Sequence, residues 1–402
     1  MGKYDFDTVI ERRGSGAIKI DVLEERFGRQ DLLAAWVADM DFATPPFIID
    51  ALRKRLEHPI LGYTCEPDDY RKSIIDWEKS LHGWELKPEW LNYIPGIVKG
   101  IGMVINVFTK PGDDVVIMPP VYHPFRITAE ENGRNVVNVP LLVDAEGRYS
   151  IDFNSLESLE TNGGVFLLSN PHNPGGVMWS REDLRRLASI CKRKRLIVVS
   201  DEIHADMALW GNRHIPFATV SEEAAEISIT FCAPSKTFNI PGIVSSFSVV
   251  IDEGLRSRFY GWLEANEFAA APLFSHIATI AAYRDGEEWR NEMLSYVEKN
   301  ICLVEDYCRK NIPGINVLRP DASFLVWLDC RGLGLDHDAL VSLFVDKARV
   351  ALNDGSMFGK EGDGFMRLNV AAPRSVIEQI LSRIENAVKQ INISAGADEK
   401  NN

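Results

Sequence analysis

GVFLLSNPHNPGG (Gly164–Gly176), EDLRRLASICKRK (Glu182–Lys194) and LIVVSDEIH (Leu196–His204) follow one another with little between them, and their order decides the fold. The first starts as a continuous apolar run and breaks into prolines and glycines, which reads as a strand entering a turn. The second carries its apolar residues at helical spacing, with charges on the other positions. The third is again a continuous apolar run, ending on acids. A strand, a crossover helix and a second strand, with both strands apolar on both faces, predict a mostly parallel sheet covered by helices on each side.

The alternation extends outward from this unit. FIIDALRKRLE (Phe47–Glu57) and GIVKGIGMVINVFT (Gly96–Thr109) have helix spacing, DDVVIMPP (Asp113–Pro120) is a short strand ended by prolines, and ISITFCAPSK (Ile227–Lys236) is a strand with a polar end. Upstream, LLAAWVADMDFATPP (Leu32–Pro46) closes on a double proline that blocks continuation of a strand or helix. After about residue 285 the character changes. A long helical stretch, EEWRNEMLSYVEKNICLVEDYCRKN (Glu287–Asn311), leads into PGINVLRPDASFLVWLDC (Pro313–Cys330) and a helix–strand–helix tail, which predicts a second, α+β unit.

Composition narrows the function classes. The chain has 402 residues, 46% of them apolar, and a formal net charge of −14. That acidic balance argues against a nucleic-acid or anionic-membrane surface, which needs clustered Lys and Arg. The one dense basic run, CKRKR (Cys191–Arg195), closes a helix, where cations suit the negative end of the dipole. Six cysteines, at 65, 191, 232, 302, 308 and 330, form no C-x-x-C pair, so reduced thiols are expected rather than a disulfide framework or a metal site. The N-terminal stretch MGKYDFDTVIERRG lacks an apolar targeting region, and no apolar run reaches the roughly 20 residues that span a bilayer. The expected location is the cytoplasm.

Ligands of open parallel sheets collect beyond the carboxyl ends of the strands. Three such ends carry polar groups that a core would reject: Asn170 and Asn173, Asp201 with His204, and Ser235 with Lys236. An unperturbed lysine is protonated at neutral pH and a poor nucleophile. One that condenses with an aldehyde cofactor instead needs a site shaped for the aldehyde's carrier. A buried Asp201 would require a cation, and a protonated pyridine nitrogen is one. PGIVKG (Pro95–Gly100) opens a helix whose first backbone N–H groups, at Val98 and Lys99 among others, favour a phosphate, and Ser235 offers a further donor.

NPHNPGG, SDEIH and APSKTFNIPG, in this order, resemble the fold-type I pyridoxal-phosphate enzymes of the aspartate aminotransferase superfamily. WVADMDF, GYT, PVYHPF and FMRLNVAAPR further resemble the cystathionine β-lyase branch of carbon–sulfur lyases. The resemblance implies an α/β fold with a seven-stranded-type sheet in a large cofactor-binding domain over 49–285. It implies a smaller α+β domain built from 1–48 and 286–395, with the polar tail 396–402 disordered. It also implies roles. Lys236 would bond the aldehyde of pyridoxal 5'-phosphate, Asp201 would pair with the pyridinium nitrogen, Asn173 and His204 would reach the ring oxygen, and Tyr122 would stack on the ring. Arg367 would grip the substrate α-carboxylate, and Tyr63 would reach the phosphate of a neighbouring subunit's cofactor, so a homodimer with a shared active site is implied. Beside these implied roles, Trp36 and Asp39 in AWVADMDF are expected either to line the substrate entrance or to serve as a hydrophobic anchor under a loop.

Two positions depart from the aminotransferase pattern: His204 stands where tyrosine is usual, and Val244 where an arginine is expected eight residues after the lysine. Loss of that arginine leaves Lys99, Ser235 and the partner's tyrosine to hold the phosphate. The expected reaction is β-elimination from cystathionine or a related amino-acid substrate. Transamination by the same residues stays open, as does a regulatory role on the same fold without turnover. His123 and His172 are further candidate donors near the cofactor.

Overall fold

The computed structural model describes residues 2–161 and 163–398. The chain forms two compact units, one of Thr44–Asn291 with Asp321–Ser323, the other of Met1–Ala43, Glu292–Pro320 and Phe324–Asn402. Both are α/β in content.

The larger unit is built on seven strands: β1 (Leu91–Ile94), β2 (Asp114–Ile117), β3 (Asn135–Asn138), β4 (Gly164–Ser169), β5 (Leu196–Asp201), β6 (Ser228–Cys232) and β7 (Ser246–Val249). Their order in the sheet is β1-β7-β6-β5-β4-β2-β3. Every pair is parallel except the two made by β7, which runs antiparallel to both β1 and β6. The mostly parallel seven-stranded sheet is therefore present, with one reversed strand that no sequence pattern announces. Strands β5 and β6 are apolar on both faces because helices cover both sides, and Val198, Val199, Ile229 and Phe231 are fully buried.

Helices take their places for local reasons. Helix α1 (Pro46–Leu56) begins at the second residue of the double proline, where a missing N–H costs nothing. Helix α2 spans Asp68–His82 and ends on Gly83 in the left-handed region. Helix α3 (Ile97–Phe108) is apolar on most of its circumference and packs into the sheet core. The crossover helix α4 (Arg181–Arg193) is capped by Ser180, whose hydroxyl accepts from the Asp183 N–H at 3.0 Å, and it buries Leu184, Leu187, Ala188 and Cys191. The basic run at its end is consumed locally: Lys192 pairs with Glu226, Arg193 with Glu157, and Lys194 donates to the Glu157 carbonyl.

One glycine of α3 fixes how closely that helix lies on the sheet. A Cβ on Gly100 would come within 2.9 Å of Ile94 Cδ1 and 3.0 Å of Phe231 Cζ. Gly100→Ala gains about 1 kcal/mol in helix propensity, but overpacking of a filled core costs about 1–3 kcal/mol. The variant is expected to have a lower Tm by a few degrees, measured by thermal denaturation, at about 2–4 °C per kcal/mol. An unchanged or raised Tm would show that the helix can move off the sheet freely.

In the smaller unit, β8 (Asn316–Leu318), β9 (Leu325–Asp329), β10 (Asn353–Asp354) and β11 (Phe365–Asn369) form an antiparallel sheet in the order β8-β9-β11-β10. A second, parallel pairing of Leu33–Ala34 with Val350–Ala351 ties the N-terminal segment to the C-terminal one. The last helix, α5 (Arg374–Asp398), buries Ile377, Ile380, Leu381, Ile384 and Val388, the stripe expected of a helix lying on a core. The tail expected to be disordered is helical as far as Asp398, and 399–402 lie outside the described residues. No described helix is long and apolar enough to cross a membrane.

Candidate active site

In-register pairing sets three polar strand ends side by side. Ser169, Asp201 and Phe231 are successive partners across β4, β5 and β6. These strands are parallel, so all three leave the sheet at the same edge. Asn173 lies four residues past the end of β4, Asp201 is the last residue of β5, and Lys236 lies four residues past the end of β6. The ladder runs one step further through Asn170 N–H to the Asp201 carbonyl and Glu202 N–H to the Phe231 carbonyl, both 2.9 Å. The turn after β4 is pinned by Asn173 N–H donating to Ser169 Oγ at 3.0 Å and by the Trp179 indole N–H donating to the Ser169 carbonyl at 2.9 Å.

Electrostatics single out Asp201. Only 5% of it is exposed, and burial pushes its carboxyl up to about 7, against the backbone N–H of Ile203 and the charge of Lys236, which pull it down. A buried carboxyl held near neutrality ionises readily once a cation is set against it. The influence of Lys236 also shows that the amine lies within electrostatic reach of the acid. Lys236 itself is half-buried, in a turn where Phe238 N–H donates to the Pro234 carbonyl and Ile240 N–H to the Ser235 carbonyl.

The same edge carries an anion cradle. Strand β1 ends at Ile94 and runs parallel to β6, being separated from it only by the reversed β7, so α3 opens at this edge. Gly96, the residue before the helix, has φ +118°, a conformation L side chains rarely adopt. Val98 is half-buried and Lys99 exposed in the first turn, where backbone N–H groups have no intrahelical partner. Ser235 is buried, and the Ser245 hydroxyl, next to Val244 and one residue before β7, is buried with no hydrogen-bond partner among the described residues. An anion at this edge would suit both the helix start and that hydroxyl.

The remaining expected residues of this unit are placed as follows. Tyr122 follows β2 and is half-buried, with its ring 5.4 Å from that of His123 and 6.0 Å from that of Phe125. His204 is buried in the loop after β5. Tyr63 is fully exposed, in the segment between α1 and α2 where Ile60 and Leu61 are exposed too. His172 has a structural part: its Nδ1 accepts from Gly175 N–H at 3.3 Å, and burial lowers its pKa to about 4, so it is neutral.

Three expected residues belong to the smaller unit. Arg367, on β11, is buried; its Nη2 donates to Asn353 Oδ1 at 2.6 Å and to the Trp36 carbonyl at 3.2 Å, and its guanidinium lies 4.9 Å from the Phe358 ring centre. Trp36 is a core residue whose indole N–H donates to the Lys19 carbonyl at 2.9 Å, packed with Leu23, Leu32 and Phe27. Asp39 is engaged by Arg12 at 2.6 Å and by the buried Lys19 at 3.7 Å, in an ion cluster shared with Asp41. These engagements give Trp36 packing duties and Asp39 ion-pair duties within the smaller unit.

Sequence reasoning missed a set of buried polar residues in the larger unit, His82, Glu202, Asp206, His214 and Thr237. The available signals were the Glu directly after Asp201 and the Thr directly after Lys236.

A family model described as aminotransferase class I and II matches residues 37–384. This chain belongs to that family. Within it, the chain is 41% identical to cystathionine beta-lyase PatB of Bacillus subtilis (strain 168), over 96% of this chain and 100% of the relative. Among solved structures it resembles a PLP-bound putative aminotransferase from Clostridium difficile 630, with a TM-score of 0.93 and 40% identity over 96% of this chain and 100% of that one. It also resembles cystalysin from Treponema denticola, a structure containing a pyridoxal 5'-phosphate cofactor, with a TM-score of 0.93 and 34% identity over 96% and 99%.

Proposed function

We propose that this chain is a pyridoxal 5'-phosphate-dependent carbon–sulfur β-lyase, cleaving L-cystathionine or related cysteine S-conjugates to a thiol, pyruvate and ammonia. The observation that carries the reading is the alignment of β4, β5 and β6, which brings Lys236 within electrostatic reach of the buried Asp201. The residues fit the cofactor: an amine for its aldehyde, a buried acid for its ring nitrogen, and a helix start with buried hydroxyls for its phosphate. When bound, the cofactor supplies a carbonyl that links covalently to amines and a ring that accepts electrons released at the substrate Cα.

Lys236 Nζ would hold the cofactor's aldehyde carbon, and its free amine would serve as the base for the substrate Cα proton. Asp201 would face the ring nitrogen and favour its protonated form. Backbone N–H groups of Val98 and Lys99, with Ser235, would hold the phosphate, Asn173 and His204 would serve the ring oxygen, and Tyr122 would pack against the ring. Arg367 binds the substrate α-carboxylate, a task suited to a planar fork already braced by Asn353. The exposed Tyr63, beside exposed Ile60 and Leu61, supports a homodimer in which it reaches the neighbouring subunit's cofactor phosphate. Cytoplasmic residence belongs to the same reading, and the six cysteines, all free thiols, suit a reducing compartment.

Transamination is the second reading, favoured by the name of the Clostridium difficile structure. The two reactions diverge after Cα deprotonation, since a transaminase needs a keto acid to complete its cycle. Purified protein given cystathionine without any keto acid is expected to release thiol and pyruvate together, with turnover on the order of 1–10 s⁻¹. Turnover only on addition of 2-oxoglutarate or pyruvate would replace the lyase reading with the transaminase one.

A further inference from the structure

Behind the three strand ends lies a buried polar network that none of the steps above uses. Asp206 sits in the turn Ala205–Met207 after β5. Its Oδ1 accepts from the Trp77 indole N–H at 3.1 Å and meets His82 Nε2 at 3.0 Å, both residues being on α2. Its Oδ2 accepts from the Thr237 hydroxyl at 3.0 Å. Arg290 Nε donates to the Asp206 carbonyl at 2.5 Å. A second pair, His214 Nε2 with Glu202 Oε2 at 2.7 Å, abuts the first, the two imidazoles meeting edge to face with centres 5.3 Å apart. Glu202 Oε1 accepts from Ser200 Oγ at 2.8 Å and from Phe217 N–H at 2.9 Å, with Asn170 Nδ2 at 3.4 Å.

The network thus touches the immediate neighbour of Lys236, which is Thr237, the immediate neighbour of Asp201, which is Glu202, and the first residue of the turn that bears Asn173. Its side chains are almost entirely shielded from water: Thr237 is 0% exposed, and the His214 and Glu202 side chains 1% each. Two buried carboxylate–imidazole pairs are a poor way to gain stability, because an apolar core of the same shape does as well or better. What they offer instead is direction, since each hydrogen bond admits few orientations.

Resting on the lyase reading above, we propose that the His82–Asp206 pair, acting through the Thr237 hydroxyl, is the positioning element that fixes how Lys236 presents its amine. The turn holding Lys236 closes by backbone bonds from Pro234 to Phe238 and from Ser235 to Ile240, packs inward through Phe238 against Phe47, Trp77, Tyr283 and Trp289, and accepts from the Thr44 hydroxyl at the Asn239 carbonyl; Thr237, next to Lys236, adds a hydrogen bond to a buried carboxylate. Asp206 is suited to the task. Burial pushes its carboxyl up, but the hydrogen bond and charge of His82, with Arg290 and Trp77, more than offset this and hold it below the usual carboxylate range. Other ionisable groups facing it are Glu78, pushed up to about 8 by burial and by the charges of Asp206 and Glu202, the Glu202–His214 pair, and Tyr283 and Cys232, both pushed up by burial and by acids that include Asp206. A neutral Glu78 leaves Asp206 as the anion against which Thr237 and His82 are aligned.

The test uses the cofactor-loaded enzyme and reads the pH midpoint of its visible absorbance band together with kcat and KM. Thr237→Val removes the hydroxyl at nearly constant volume. It is expected to shift that midpoint and to lower kcat by about 10- to 100-fold with KM unchanged, the split that marks lost alignment rather than lost binding. Thr237→Ser, which restores the hydroxyl, should restore both readings, and His82→Gln should shift them in the same direction as Thr237→Val. Wild-type titration and kcat in both Thr237→Val and His82→Gln overturn the proposal, and so does a Thr237→Ser enzyme as impaired as the valine variant. If the valine variant does not fold, His82→Gln alone decides. A wild-type protein with no visible band overturns the lyase reading itself, whereas a normal band with unaffected variants overturns only the positioning role.

Discussion

Lys236→Ala is expected to abolish thiol release from cystathionine, lowering kcat by roughly 10⁴- to 10⁶-fold, the loss typical of removing a residue that acts as both covalent anchor and base. The purified variant should also lack the visible absorbance of the wild-type protein, because no other described amine stands four residues past a central strand and within reach of Asp201. Its fold should survive. Lys236 is half-buried, and the backbone bonds of its turn do not involve its side chain. Circular dichroism and size-exclusion elution should match the wild type while the absorbance and the activity are gone. A variant that still releases thiol and pyruvate at more than a hundredth of the wild-type rate would remove Lys236 from the chemistry.

Asp201→Asn separates catalysis from stability, and the two effects have opposite signs. Loss of the acid removes the charge that stabilises a cationic ring nitrogen, so kcat should fall by about 10²- to 10³-fold. In the cofactor-free protein the same change should stabilise. The folded carboxyl titrates at about 7 and the unfolded one at 3.8. Between those values the folded state binds more protons than the unfolded state, so stability falls as pH rises through that window. At about 1.4 kcal/mol per pH unit, the buried charge costs on the order of 4–5 kcal/mol above pH 7. Asparagine carries no charge, so cofactor-free Asp201→Asn should unfold at higher urea than wild type at pH 8, with the gap closing towards pH 4. A variant less stable than wild type at pH 8 would mean that the acid is ionised and satisfied without any cofactor.

Much of the larger unit was legible from local pattern. Continuous apolar runs marked β4, β5 and β6, the amphipathic stretch after them marked α4, and the polar residues just beyond each run marked the strand ends at Asn173, Asp201 and Lys236. Those signals depend on residues within a few positions of one another, so they survive without knowledge of the rest of the chain. The reversal of β7 did not show, because an apolar strand pattern such as that of SSFSVV carries no information on which way the strand will run beside its neighbours. The duties of Trp36 and Asp39 were equally hidden. An exposed-looking aspartate beside a tryptophan gives no hint that Arg12 and Lys19 will claim its carboxylate from elsewhere in the smaller unit.

By itself, then, the sequence determined the alternation of strands and helices, the strand-end positions of the candidate lysine and acid, and the family to which they point, since each is carried by a contiguous stretch. Tertiary structure alone decided which strands became neighbours, the register that puts Ser169, Asp201 and Phe231 abreast, and the meeting of His82 with Asp206 across 124 residues. The physical reason is that a buried carboxylate must find its partner wherever packing brings one within 3 Å, and packing is settled by the whole core rather than by the residues next in the chain.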